Sequence, residues 1–143
     1  MRTETERQRR RLLQAMTLGG AIAASGCRDD GVVLEAISGY RSHDYQLGIF
    51  ERKLARGQTV DQILSVNAAP GYSEHHSGLA LDIGAPGEPP AEESFEDTAA
   101  FAWLGANAGA FGFSLSYPRD NPHGIVYEPW HWCFAADVAV DAD

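Results

Sequence analysis

The spacing of apolar and polar positions changes several times between Val32 and Phe134, and the changes mark alternating strands and helices. Val32 to Ile37, rich in β-branched residues, predicts a strand leading into Ser38-Gly39-Tyr40-Arg41-Ser42. Asp44 then opens a helix to about Ala55, with Tyr45, Ile49 and Leu54 expected toward the core and Gly57 as its stop. A shorter helix is expected from Val60 to Val66, a loop from Ala68 to Tyr72 and a strand from Leu79 to Ile83. Gly84 to Glu93 holds three prolines and two glycines and predicts a surface loop. Thr98 caps a further helix that carries Phe101, Leu104 and Phe111 on one side. Three strands are expected after it, Phe113 to Tyr117, Ile125 to Tyr127 and Trp130 to Phe134, and in the last Trp130, Trp132 and Phe134 alternate with His131 and Cys133. The predicted fold class is α+β, with helices packed against one small antiparallel sheet.

Composition bounds the picture without changing it. The 143 residues, 44% hydrophobic and 10% aromatic, suit one domain, with no internal repeat and no apolar run that spans a bilayer. Charge is uneven. Residues 1 to 28 hold six arginines against two glutamates, whereas the rest carries five basic and eighteen acidic side chains. An acidic body argues against nucleic acid as a partner, because that binding rests on neutralising phosphates. A monomer is expected.

Three segments carry the candidate chemistry: Ser38 to Ser42, Ser73-Glu74-His75-His76-Ser77-Gly78-Leu79-Ala80-Leu81-Asp82, and Glu128-Pro129-Trp130-His131-Trp132. Catalytic zinc sites use three protein ligands, and zinc accepts imidazole and carboxylate together. Asp82, His131 and one histidine of the His75-His76 pair make such a set, since adjacent side chains in a strand-like segment point to opposite faces. Glu128 stands three residues before His131 with Pro129 between, and proline disfavours helix before it, so this is not the helical His-Glu-x-x-His arrangement. His43 and His123 read as structural histidines.

In order and spacing these segments resemble the VanY-type D-alanyl-D-alanine carboxypeptidases, whose zinc site is shared with VanX dipeptidases and the Hedgehog signalling domain. The resemblance runs from about Gly31 to Phe134 and implies a Hedgehog/DD-peptidase-like domain over 31–134 with Zn2+ in a cleft on the sheet. It selects His75, Asp82 and His131 as metal ligands, leaving His76 structural. It makes Glu128 the general base that takes a proton from the attacking water and returns it to the leaving amine. Arg41 would stabilise the oxyanion or hold a substrate carboxylate, and Ser73, Gln46 and Trp130 would touch substrate. The implied activity is a zinc-dependent carboxypeptidase releasing a terminal D-alanine from peptidoglycan stem peptides or muropeptides. An L,D-carboxypeptidase, a D,D-dipeptidase and a wall endopeptidase share the scaffold, and pocket shape separates them. A non-catalytic zinc-stabilised binding domain is the alternative from another class, and Glu128 beside a full ligand set argues against it.

The first 30 residues allow two readings. Arg9-Arg10-Arg11-Leu12-Leu13, a mildly apolar stretch and Ala24-Ser25-Gly26-Cys27 suggest an export signal with Cys27 as a lipid-anchor site and a cell-envelope or periplasmic location. Alternatively residues 9 to 25 form the first helix of the domain, with Leu12, Leu13, Met16 and Ile22 inward, and the protein acts on wall fragments in the cytoplasm. Cys27 and Cys133 are the only cysteines, and Cys133 reads as a buried small hydrophobe or, less favoured, a thiolate near the metal. Residues 135–143 read as an acidic tail.

Overall fold

Antiparallel pairing of four short strands organises the computed structural model, which describes residues 27–135. The expected signal or helix at 9–25 and nearly all of the acidic tail lie outside the described residues. The strands are β1 (Glu35–Ser38), β2 (Ala80–Gly84), β3 (Phe113–Leu115) and β4 (His131–Phe134), in the order β1-β2-β4-β3. Among the described residues, after a helical stretch at 27–29, the helices are α1 (His43–Ala55), α2 (Val60–Leu64) and α3 (Ala99–Asn107), with 3-10 turns at Glu74–Ser77, Glu93–Asp97 and Ala108–Phe111. The α+β class is as expected.

The pleat divides the sheet into a core face and a polar face. Leu81 and Ile83 of β2 and Trp132 and Phe134 of β4 pack with Phe113, Phe95, Trp103 and Leu104. The intervening Ala80, Asp82, His131 and Cys133 belong to the opposite face, where Asp82 and His131 line a cleft. Cys27 is 1% exposed inside the apolar cluster, and Asp30 accepts the Trp103 indole N–H at 2.6 Å, so the core reaches upstream of Gly31. A lipid on the Cys27 sulfur would have to draw that residue out of the core.

Local chemistry explains most element ends. Ser42 caps α1 through Tyr45 N–H, Thr59 and Gln62 form a reciprocal capping box on α2, and Thr98 caps α3 as expected. Gly78, at φ +74°, closes the 3-10 turn and turns the chain into β2, a backbone state that favours glycine.

Three expectations are corrected. Tyr45 and Leu54 are exposed rather than inward, because α1 turns Gln46, Ile49, Phe50 and Lys53 toward the protein. Ile125 to Tyr127 is not a strand: Val126 N–H bonds the Ser65 carbonyl and the Asn121 amide takes the Ile125 carbonyl, so these groups are committed away from any ladder. The segment around His75 is a 3-10 turn and not strand-like. His75 and His76 diverge there because successive residues on so tight a helix sit about 120° apart.

Candidate metal centre and active-site cleft

Strand register builds the first half of the site. Asp82 of β2 lies directly opposite His131 of β4, and a bulge between Ala36 and Ser38 sets Ser38 against Asp82. Beyond the bulge the chain crosses the 3-10 turn, where Gly39 carbonyl accepts from His75 Nδ1 at 2.7 Å and Arg41 N–H donates to the His75 carbonyl at 3.1 Å. A carbonyl only accepts, so Nδ1 of His75 carries the proton and Nε2 is the nitrogen left for a metal.

His75, Asp82 and His131 are all buried, and one ligand atom from each lies within 4.8 Å of the others. His75 Nε2 stands 3.3 Å from Asp82 Oδ2, and His131 Nδ1 stands 3.1 Å from Asp82 Oδ1. Ligands at about 2.0–2.1 Å from a tetrahedral ion are about 3.3 Å apart, so the spacing and the nitrogen-oxygen chemistry fit zinc. Burial would raise the Asp82 pKa, but hydrogen bonds from His131 and His75 outweigh it and hold the carboxyl well below its usual range. Burial works against a charged His131, yet its bonds to Asp82 and Glu74 prevail and lift its pKa to about 9.

Glu128 is buried at the cleft wall, with Oε2 3.7 Å from His131 Nδ1 and its backbone N–H on the Tyr117 carbonyl. Burial pushes its pKa up to about 7, with Asp82 adding to the rise and His131 and Arg41 opposing it. Arg41 lines the same cleft, donating from Nη2 to Asp82 Oδ2 at 2.7 Å and from Nε to Ser38 Oγ at 3.1 Å. Its guanidinium keeps three further N–H groups.

The cleft, about 150 Å³, brings together every residue expected from the sequence: Arg41, Gln46, Ser73, His75, Asp82, Glu128, Trp130 and His131. Gln46 is 1% exposed; its amide N–H donates to the Ala68 carbonyl while Oε1 has no partner among the described residues. A buried acceptor without a donor is costly, and in a cleft wall it is free to accept from a water or a ligand N–H. His76 stays out of the metal group, because its Nδ1–H donates to the Arg41 carbonyl at 2.8 Å and its Nε2 accepts Gly71 N–H at 3.0 Å. Cys133 also stays out, and burial together with Glu74 raises its thiol to about 12, which keeps it protonated.

Two neighbours were not singled out from the sequence. Tyr117 lines the cleft with its ring centroid 4.7 Å from that of His131, and burial, reinforced by Glu74 and Glu128, keeps its hydroxyl protonated. Glu74 contacts His131 Nε2 at 2.9 Å. The only available signal for Glu74 was an acid beside a candidate ligand. Its partner lies 57 residues away on β4, a distance that only folding closes.

A buried His/Asp/His donor set with a carboxylate beside it, on an antiparallel sheet, is the frame of a metallopeptidase. Residues 9–137 match the VanY family, described as D-alanyl-D-alanine carboxypeptidase, and the chain belongs to that family. Among curated relatives, a Bacillus subtilis (strain 168) protein named as a carboxypeptidase, YodJ, is 38% identical over 125 residues, covering 81% of this chain and 45% of YodJ. Among solved structures, the LdcB LD-carboxypeptidase superposes with a TM-score of 0.76 at 32% identity, covering 84% of this chain and 57% of that one. A variant of the vancomycin-resistance D,D-pentapeptidase VanY, in complex with Zn(II), superposes with a TM-score of 0.67 at 32% identity, covering 83% and 70%. The chain therefore spans about half the length of YodJ and LdcB.

Proposed function

We propose that this protein is a zinc-dependent carboxypeptidase that releases a terminal D-alanine from peptidoglycan stem peptides. One observation carries the reading: the buried triangle of His75, Asp82 and His131 has the Glu128 carboxylate beside it, unbonded among the described residues and with its pKa near 7. The family match and the zinc-containing VanY relative support it.

His75 Nε2, an Asp82 oxygen and His131 Nδ1 would hold the ion. Bound zinc would polarise the scissile carbonyl and make water acidic enough to attack near neutral pH. Glu128 takes the proton of the attacking water and delivers it to the departing amine, and a pKa near operating pH suits both transfers. Arg41 meets negative charge with its remaining N–H groups, either the oxyanion or the substrate carboxylate. Gln46 Oε1 accepts a substrate N–H, Ser73 offers its hydroxyl, and Trp130 walls the cleft.

A second reading is favoured by the likeness to LdcB: release of the same residue across an L,D bond, with the same residues in the same roles. Incubating the zinc-loaded protein with muropeptides of defined stem length and weighing the products decides between them. Loss of one alanine from a pentapeptide stem supports the first reading, and loss from a tetrapeptide stem the second. Intact substrates in both cases overturn the enzyme reading.

Stem peptides lie outside the cytoplasmic membrane, which supports an envelope location, and no described helix is long and apolar enough to cross a membrane. The burial of Cys27 weighs against a lipid on its sulfur.

A further inference from the structure

His131 has two ring nitrogens, each facing a carboxylate, and a ligand histidine works only if the correct nitrogen is turned to the metal. His75 has this settled by a main-chain carbonyl, Gly39 O. On His131 the equivalent contact is a side chain: Nε2 lies 2.9 Å from Glu74 Oε2. We propose that Glu74 is a positioning residue that fixes His131 with Nε2–H toward itself and Nδ1 toward the zinc, an inference that rests on the zinc reading above.

The surroundings of Glu74 fit this task. Ser116 donates its hydroxyl to the same Oε2 at 2.6 Å, so the oxygen that meets His131 is held by a second donor. The Glu74 carbonyl accepts Ser77 Oγ–H at 2.6 Å, and Ser77 Oγ in turn takes Leu79 N–H, which ties the 3-10 turn to the start of β2. Ser116 follows β3, and its N–H reaches the His131 carbonyl at 3.4 Å, so β4 and its ligand are braced together. Turning the His131 ring over would break the Glu74 bond. A carboxylate on the far nitrogen also makes the near nitrogen a stronger donor, and losing such a partner typically weakens metal binding about 10- to 100-fold. Three consecutive residues thus serve one centre: Ser73 lines the cleft, Glu74 steers one ligand, and His75 is another.

The test compares the full chain with Glu74→Ala, Glu74→Gln, Ser116→Ala and, as a control, the exposed Glu92→Ala. Zinc affinity is read by competition with a chromogenic chelator, ligand geometry by the visible absorption of the cobalt(II)-loaded protein, and folding by circular dichroism. Glu74→Ala should bind zinc about 10- to 100-fold more weakly, with altered cobalt bands and an unchanged fold. Glu74→Gln should recover most of the affinity, since its amide oxygen still accepts from Nε2–H, and Ser116→Ala should shift affinity the same way by less. Wild-type affinity and spectrum in a folded Glu74→Ala would overturn the proposal, as would a glutamine variant no better than alanine. Should Glu74→Ala fail to fold, Ser116→Ala decides: weakened binding supports the brace, and unchanged binding removes it. Failure of the zinc reading looks different, because then the wild type takes up no zinc or His131→Ala binds it as tightly.

Discussion

Glu128 and His131 are three residues apart, yet burial and neighbours push them in ways that suit different tasks. Replacing Glu128 by Gln keeps the side-chain volume and removes the proposed base, so zinc content should stay near one per chain while kcat falls about 10²- to 10⁴-fold, measured on a muropeptide. In the proposed mechanism the unprotonated form of Glu128 is the working one, so activity should decline as pH falls through about 7, and bound zinc, as a nearby positive charge, moves that limb to lower pH. His131 acts in the opposite sense. Its folded pKa of about 9 lies above the ordinary 6.5, so in metal-free protein its contribution to stability is complete below 6.5 and lost as pH rises through 9. Zinc must displace a proton from Nδ1, so affinity measured by chelator competition should climb with pH over that same window. His76→Ala should leave zinc affinity intact but lower kcat/KM, since its ring braces the Arg41 carbonyl and not the metal.

At the scale of elements, the segment from Pro118 to Tyr127 delivers Glu128 without being regular structure. It is held by a clasp: Arg119 forks onto both Glu96 oxygens at 2.8 and 2.9 Å, its guanidinium lies 3.8 Å from the Tyr127 ring centre, and Tyr127 donates its hydroxyl to Glu96 at 3.0 Å. Tyr127 directly precedes Glu128. Arg119→Ala should therefore lower kcat severalfold with zinc content unchanged, a pattern that separates a misplaced base from a lost metal. Arg119→Lys should rescue little, because the paired contact to Glu96 and the stacking on Tyr127 both need the planar fork.

Across the whole molecule, the apolar core beneath the sheet includes residues upstream of the segments that carry the chemistry. Asp30 partners the Trp103 indole, and Cys27 sits among Trp103, Phe95 and Ala85. Asp30→Ala would leave a largely buried donor unpaired, at about 1–3 kcal/mol, and lower the thermal midpoint on the order of 5 °C by calorimetry. An unchanged midpoint would mean that the domain does not depend on this stretch.

Residue types at fixed spacing, with the family resemblance they carry, made the candidate metal set legible from the chain. Histidine, aspartate and a glutamate three residues before a second histidine form an ordered group, and β2 and β4 were visible in their apolar pattern. The caps at Thr98 and the 3-10 turn's glycine also follow from local chemistry. What local pattern could not determine was decided by contacts between distant elements. The choice of His75 over His76 physically depends on the Gly39, Arg41 and Gly71 backbones, and the inward face of α1 on the cleft that receives Gln46. The absent strand at Ile125 to Tyr127 reflects bonds to Ser65 and Asn121, and the part assigned to Glu74 depends on a histidine 57 residues away. Propensity and period act over a few residues, whereas hydrogen-bond partners for buried groups are chosen by the assembled fold.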